Sequence, residues 1–326
     1  MAETLVVGSK TSYSEPIGTG GNREDLSDIL YDVSPTETPF VTMASKSESA
    51  TAVNHEWLTD KLGDPVKNAH VEGAVASPVK PAGRARLGNY TQIFQKHAVV
   101  TGTQEKVLKG GGIKSEMAYQ VARRMKEIKR DLEFACVGSG HQVKKAGAED
   151  TAREMGSFQS FMGAGSVLLG ATGAAGAGNG SDIYTAGTAR DFSEDLLTQA
   201  LEKMWNQSGG SENISALMGS HQRKLFSGFK SASTRFVTVD DRKLTASIDV
   251  YDGDFHTVTA VPDRYVHTGE VLLIDPDYIG ICDLRPLGSE DLAKNGDSQT
   301  KQLLMETTLK VGNPLAHMVI AGLTTS

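Results

Sequence analysis

The chain has 326 residues, of which 39 % are hydrophobic and 22 % charged, enough for one large composite domain or two average domains. Its formal net charge of −7 argues against a dedicated nucleic-acid-binding protein, because such proteins hold phosphates with clustered lysines and arginines. The N-terminus lacks the basic and apolar regions of a secretory signal, and no apolar run is long enough to span a membrane. We therefore expect a soluble protein made in a cytoplasm, with no membrane partner.

The N-terminal segment predicts a flexible start followed by an extended arm. Residues 1–22 are polar, small and rich in glycine. A short helix follows, and three apolar residues share one of its faces: Leu26, Ile29 and Leu30. Pro35 and Pro39 then force the residues that precede them into extended geometry. Such an arm has no local partner for its apolar side chains.

A long excursion lies between two predicted strands, 53–60 and 90–101. Val53, His55 and Trp57 share one face of the first strand. The connection spans about thirty residues, a length that is unusual within a compact domain and usually functional. An isolated two-stranded ribbon is marginal in water, so we expect this one to rest on another surface, such as a neighbouring subunit.

The strongest helix prediction covers 113–137. Apolar residues recur there at three- and four-residue steps, namely Ile113, Met117, Val121, Met125, Ile128, Leu132 and Ala135. The other side carries Arg123, Arg124, Lys126, Lys129 and Arg130. A basic helix can contact DNA, but the interleaved acids Glu127, Asp131 and Glu133 favour a face turned to solvent or to a protein partner.

The second half of the chain predicts an α/β lobe followed by strands. The uncharged stretch 155–181 is rich in Gly, Ala and Ser, and 170–180 within it predicts a mobile loop. A helix at 193–206, capped by Ser193, is followed by a strand and a shorter helix. The segments after it that predict strands are 236–239, 248–251, 256–260, 271–274, 279–284, 302–310 and 316–321. The two cysteines, Cys136 in a helix and Cys282 in a strand, are predicted to be buried thiols.

No motif for chemistry is present. The sequence contains no P-loop, no GxGxxG dinucleotide fingerprint and no GxSxG nucleophile motif. The eight histidines lie at neither HxH nor HExxH spacing, and the acidic turns at 240–241 and 252–254 lack the EF-hand pattern. We therefore expect no catalytic residue, no cofactor and no metal site. A hydrolase whose scattered His and Asp residues converge in a pocket is the competing interpretation from a different class.

Charge is distributed unevenly along the chain. The excursion and the strand after it contain Lys61, Lys67, Lys80, Arg84, Arg86 and Lys96, whereas the last third is rich in aspartate. We hypothesise that the basic excursion rests on an acidic surface of a neighbouring copy, where charge complementarity fixes register and speeds encounter. The competing interpretation is ordinary solvated charge.

Several segments, in order, resemble the major capsid proteins of tailed phages. They are Arg23–Leu30, Ser34–Phe40, His55–Asp60, Val271–Asp275, Leu284–Pro286, Leu292–Ser298, Glu306–Leu309 and Ala316–His317. The resemblance covers about residues 23 to 323 and lies within the Hong Kong 97-type capsid fold, in a branch formerly known as a domain of unknown function. It implies an α+β fold and a chain that self-assembles into hexamers and pentamers of an icosahedral head around packaged double-stranded DNA.

The resemblance also implies a division of the chain. The expected parts are an N-terminal arm (1–53), an E-loop (54–103), a P-domain spine-helix region (104–150), an A-domain (151–270) and return strands of the P-domain sheet (271–326). The candidate assembly contacts are Arg23, Leu26, Ile29, Pro35, Pro39 and Phe40 in the arm, Trp57, Lys61, Lys67, Lys80, Arg84 and Arg86 in the E-loop, and Arg123, Arg124, Lys126 and Arg130 on the helix.

Further partners follow from the same resemblance. They are a portal, a separate scaffolding protein, since the arm begins almost at Met1, and a decoration protein. The expected location is the virion capsid, assembled in the bacterial cytoplasm. Some proteins of this fold crosslink Lys to Asn between subunits, but no motif here places such a pair. Two further interpretations compete with a phage head: an encapsulin-like compartment shell, which would enclose cargo protein instead of DNA, and a tail or fibre protein.

Overall fold

A computed structural model describes residues 37–46, 48–75, 83–108, 113–207, 211–229, 250–294 and 296–325. The helix predicted at 26–30 and the strand predicted at 236–239 lie outside these ranges. Among the described helices, none combines the length and the apolarity that crossing a membrane requires.

The helices of the described residues are α1 (Pro39–Met43), α2 (Gly102–Lys106), α3 (Glu116–Val137), α4 (Glu194–Gln207) and α5 (Ser220–Ser227). The predicted long helix is therefore confirmed, with a start three residues later than expected. The start is set by caps. Ser115 Oγ accepts a hydrogen bond from the Ala118 amide at 3.3 Å, and the Glu105 carboxylate accepts from the Glu116 and Met117 amides at 2.9 and 3.2 Å.

The strands of the described residues form three sheets. They are β1 (Ser45–Lys46), β2 (Asn54–Thr59), β3 (Ala85–Tyr90), β4 (Gln92–Thr101), β5 (Val167–Leu168), β6 (Asn213–Met218), β7 (Val250–Asp252), β8 (Thr257–Pro262), β9 (Glu270–Ile274), β10 (Ile279–Asp291), β11 (Ser298–Val311) and β12 (Met318–Ala321). A four-stranded sheet has the order β1-β10-β11-β4, a six-stranded sheet has the order β5-β12-β9-β6-β8-β7, and β2 and β3 form a separate antiparallel ribbon.

The helix α3 packs its apolar stripe on the four-stranded sheet. Ile128, Leu132 and Cys136 are buried in one cluster with Phe94 of β4 and with Leu303 and Leu309 of β11. Each such large side chain contributes about 1.5–3 kcal/mol when it leaves water. The stripe predicted from helical periodicity is thus the main contact of the helix. The predicted burial of Cys136 and Cys282 as free thiols is also confirmed.

The six-stranded sheet is buried on both faces at its centre. In β12, Val319 and Ala321 join the cluster beneath α3, whereas Met318 and Ile320 join a second cluster formed with α4 and α5. Successive strand residues point to opposite faces, so one strand serves both clusters. The α/β region is therefore not an isolated lobe. Its sheet lies between its own helices and the rest of the core.

Three boundaries expected from the resemblance shift in the structure. Residues 39–46 and 48–50 pack on their own subunit, because β1 pairs with β10 and the Ala50 amide donates to the Asp283 carbonyl. The strand β4 belongs to the four-stranded sheet, so the ribbon itself ends near Tyr90. Of the last described strands, β10 and β11 return to the sheet beneath α3, whereas β9 and β12 pair within the six-stranded sheet.

The glycine-rich stretch 155–181 has a defined course, unlike the mobile loop predicted within it. Its backbone forms isolated bridges, including one between Ala174 and Thr185. A Cβ on Gly170 would lie 2.1 Å from the Thr188 carbonyl oxygen, and Gly178 has a φ of +71°. Glycine is therefore required here by close backbone approach and by left-handed geometry.

Candidate assembly surfaces

The ribbon formed by β2 and β3 is fixed at its root by an aromatic anchor. The Trp57 side chain is 7 % exposed, and its ring centroid lies 5.8 Å from that of the buried Phe161. Its cross-strand partner is Leu87. The resemblance implied that Trp57 contacts a neighbouring subunit. The structure instead places it in the core of its own subunit.

Asn89 joins the same root to two other parts of the chain. Its side-chain amide donates to the Leu309 carbonyl at 2.8 Å and to the Gly156 carbonyl at 3.1 Å, and its Oδ1 accepts from the Gly156 amide at 2.7 Å. Lys144 adds a hydrogen bond from its ammonium group to the Gly88 carbonyl at 3.1 Å. Because the Asn89 side chain is fully buried, these bonds hold the ribbon at a fixed position on the sheet.

The distal part of the ribbon carries apolar side chains that face solvent. Leu62, Val66, Val71 and Val75 are 91, 78, 82 and 94 % exposed, in a stretch without helix or strand. Scattered exposed apolar residues are normal on soluble proteins, but a run of them on one segment is typical of an interaction surface. We call these four residues the ribbon tip.

The charges of the ribbon are more balanced than its run of lysines and arginines predicts. Arg84 lies 3.5 Å from Asp60, Arg86 lies 3.4 Å from Glu56, and Lys61 lies 3.3 Å from Asp64. Lys96, counted with the excursion, pairs with Asp131 of α3 at 2.8 Å. Since these pairs are largely solvent-exposed, each contributes little stability, but each offsets a positive charge within the subunit.

The described end of the arm is bound to α3 through a buried carboxylate. Glu133 accepts hydrogen bonds from the Phe40 amide at 2.7 Å and from the Val41 amide at 2.8 Å. Phe40 is fully buried, with its ring centroid 6.1 Å from that of Phe158, and Pro39 is the first residue of α1. Phe40 is therefore a core residue, not the surface contact predicted. Glu133, expected on the solvated face of the helix, is also buried.

A second buried acid shares this site. Burial, with the neighbouring Asp263 carboxyl, raises the pKa of Glu133 to about 8. Burial also raises the pKa of Asp263. Two carboxyl groups in contact in a dry site are more stable when one keeps its proton, so at neutral pH the pair shares a proton.

The basic face of α3 is largely engaged within the subunit. Arg124 pairs with Glu127 at 2.6 Å, and Arg130 donates to the Tyr265 hydroxyl at 2.8 Å. Arg123 stacks over the Tyr119 ring at 6.0 Å. These partners favour the predicted solvated or protein-facing role of this face over DNA contact.

The remaining predicted contacts fall into two groups. Lys67 is exposed on the ribbon, and Lys126 is exposed on α3. Five residues lie outside the described ranges: Arg23, Leu26, Ile29, Pro35 and Lys80.

Glu306 forms a polar centre that no sequence pattern predicted. It is 4 % exposed in the middle of β11, and it accepts from the Thr91 hydroxyl at 2.8 Å and from Arg285 Nε at 2.8 Å. Arg153 forms an ion pair with the same carboxylate. The one feature of the sequence that could have indicated this site is a carboxylate within a strand of threonine and apolar residues. The two arginines that compensate its charge come from distant positions, and periodicity does not reveal them.

The family model described as SU10 major capsid protein matches residues 9–324 of the chain. The chain belongs to this family. It is a phage major capsid protein, a structural component of the virion capsid.

Individual relatives agree with this assignment. The chain is 25 % identical over 336 residues to the major capsid protein of Escherichia phage Phieco32, covering 92 % of this chain and 94 % of that protein. Its fold is similar to the capsid of a native GTA particle, with a TM-score of 0.64 and 15 % identity over 93 % of this chain and 96 % of the other. Its fold is also similar to the capsid of cyanophage A-1(L), with a TM-score of 0.60 and 14 % identity over 93 % of this chain and 97 % of the other.

These structures confirm the predicted Hong Kong 97-type fold. The SrpI encapsulin of Synechococcus elongatus, with a TM-score of 0.54 and 10 % identity over 94 % of this chain and 93 % of that one, shares the fold at greater distance. An encapsulin-like shell therefore has less support than the phage capsid.

Proposed function

We propose that this capsid protein assembles with copies of itself into hexamers and pentamers, which close an icosahedral head around double-stranded DNA in the bacterial cytoplasm. Family membership and the capsid fold support the shell. A portal, a separate scaffolding protein and a decoration protein are the further partners that this function implies. We propose a structural role without catalysis.

The observation that carries the proposal is the contrast between the two ends of the ribbon. The root is fixed by Trp57 and Asn89, both buried. The tip, in contrast, exposes four apolar side chains. A ribbon that is held rigidly at one end and is apolar at the other is suited to reach a neighbouring copy. Burying the tip there would remove apolar surface from water, at about 25 cal/mol per Å².

The proposed contact is mainly apolar, with charge in a secondary role. Three of the basic residues of the ribbon already have acidic partners on the ribbon itself. Complementarity with an acidic neighbour therefore depends on Lys67 and on residues outside the described ranges. Particle assembly should consequently depend more on the ribbon tip than on ionic strength.

A surface variant tests this role. Replacing Leu62, Val66, Val71 and Val75 by serine should leave the free energy of unfolding of the monomer within about 0.5 kcal/mol per site, because these residues are exposed. The same variant should fail to form closed particles under conditions in which the unaltered chain forms them. A matched control makes the same change at Val99 and Leu108, which are 60 and 89 % exposed but lie outside the ribbon. This control should assemble normally. Normal particles from the tip variant would refute the proposed contact.

A further inference from the structure

Three potential metal ligands meet where α3 leads into the six-stranded sheet. His141 follows the C-terminal end of α3, and His267 and Glu270 lie at the start of β9. One ligand atom from each residue lies within 4.8 Å of the others. None of the three residues belongs to the ribbon.

The distances are close to those of a metal centre. His141 Nε2 lies 3.1 Å from Glu270 Oε1, and His267 Nδ1 lies 3.9 Å from the same oxygen. For tetrahedral zinc with bonds of about 2.0–2.1 Å, neighbouring ligand atoms are about 3.3 Å apart. Small side-chain rotations would therefore bring all three atoms to bonding distance of one ion.

Glu270 provides an independent reason to expect a cation. Its side chain is 2 % exposed, its Oε2 is hydrogen-bonded to His141 Nε2 at 3.2 Å, and among the described residues its Oε1 has no hydrogen bond of acceptable geometry. A buried carboxylate oxygen without a donor is costly, and a bound cation would compensate it. The Tyr184 side chain is buried next to the same carboxylate, with its hydroxyl close enough to interact with it.

The two imidazoles are suited to complete the site. His267 Nδ1 accepts a hydrogen bond from the Gly269 amide at 3.2 Å, so this nitrogen carries no proton, and an ion bound there would replace that hydrogen bond. His141 has a φ of 44°, a left-handed conformation that histidine adopts uncommonly and at some cost. That backbone conformation places its ring 5.0 Å from the His267 ring, centroid to centroid.

We propose that His141, His267 and Glu270 bind a divalent transition metal, with zinc as the best fit. Two imidazoles and one carboxylate are ligands that zinc accepts, and they leave a fourth position for water or another donor. His141 also lines a surface groove of about 590 Å³ with Phe134 and Gln142, which gives an ion a route from solvent. Bound metal would clamp the end of α3 to the start of β9.

Zinc binding by the metal-free full-length chain tests the site. Calorimetric titration with zinc chloride should give one ion per chain, and the same ion should raise the melting temperature. His267→Gln removes one ligand at a half-exposed position, and His141→Asn removes another while keeping a residue that tolerates the left-handed backbone. Each variant should weaken binding at least about 10-fold, since even outer-shell partners of a metal contribute about that much.

A matched control keeps the result interpretable. His70→Asn alters an exposed histidine of the ribbon and should leave zinc affinity unchanged. Circular dichroism establishes that both site variants retain the fold. The proposal is overturned if the unaltered chain binds no zinc at micromolar concentration, or if both folded site variants bind it as tightly as the control. Either result would make the cluster a hydrogen-bonded His–Glu group alone.

Discussion

The chain has two tryptophans in opposite environments, which allows a direct test of the ribbon root. Trp57 is 7 % exposed at the root, whereas Trp205 is 59 % exposed on α4, next to Phe255. Replacing a buried aromatic residue by alanine costs about 3–5 kcal/mol, because transfer free energy is lost and a cavity remains. Trp57 Nε1 has no acceptor among the described residues, which reduces the net loss and favours the lower half of that range.

Urea unfolding of Trp57→Ala and Trp205→Ala measures the difference. We expect a loss of about 3–4 kcal/mol for Trp57→Ala and of about 1 kcal/mol for Trp205→Ala, since an exposed site leaves no cavity. Circular dichroism follows both variants, and each retains one tryptophan as a fluorescent probe. If the two losses are equal, Trp57 does not fix the ribbon through core packing, and the claim that the ribbon has a fixed root and an exposed tip is refuted.

Three further predictions concern the interior. Between about pH 6.5 and 8 the free energy of unfolding should fall as pH rises, because native Glu133, with a pKa near 8, retains a proton that the unfolded chain has released. In urea titrations, Glu133→Gln should flatten this slope. In the Glu133→Gln variant, which no longer carries the opposing slope of Glu133, stability should fall below pH 6.5 as pH decreases towards 4, because burial lowers the pKa of His317 to about 4 and the unfolded chain binds that proton first; a flat acid limb in that variant would contradict this. Phe40→Ala should lower the free energy of unfolding by about 3–5 kcal/mol in the same assay, and a loss below about 1 kcal/mol would be inconsistent with the burial of Phe40. A deletion that tests the arm in assembly must therefore end before Phe40.

Much of the fold could be predicted because its signals are local. The stripe through Ile128 and Leu132 follows the helical period, and the cap at Ser193 precedes its helix as expected. The continuous apolar runs of β9 and β12 also predicted strands. Their cause is burial on both faces, which requires knowledge of the whole sheet order.

The errors have a common physical origin in contacts between distant segments. Glu133 lies off the apolar stripe of α3, and periodicity assigned it to solvent. The last turns of this helix are in fact covered beyond the stripe, by α1 and by the segment that carries Asp263. Likewise, His141 has no ligand partner nearby in sequence, and the fold brings it to His267 and Glu270.

Assembly depends on surfaces, and a single sequence predicts surfaces poorly. Phe40 and Trp57 were predicted to contact neighbouring subunits, but their partners lie in the same subunit. The tip residues Leu62, Val66 and Val71 were not singled out, because isolated apolar residues in a long loop have no period.

The central claim is that the ribbon tip is buried by a neighbouring copy in the assembled head. Electron cryomicroscopy of particles formed by the purified chain tests it most directly. We predict closed shells in which Leu62, Val66, Val71 and Val75 contact an adjacent subunit. Shells in which these four side chains face solvent would contradict it.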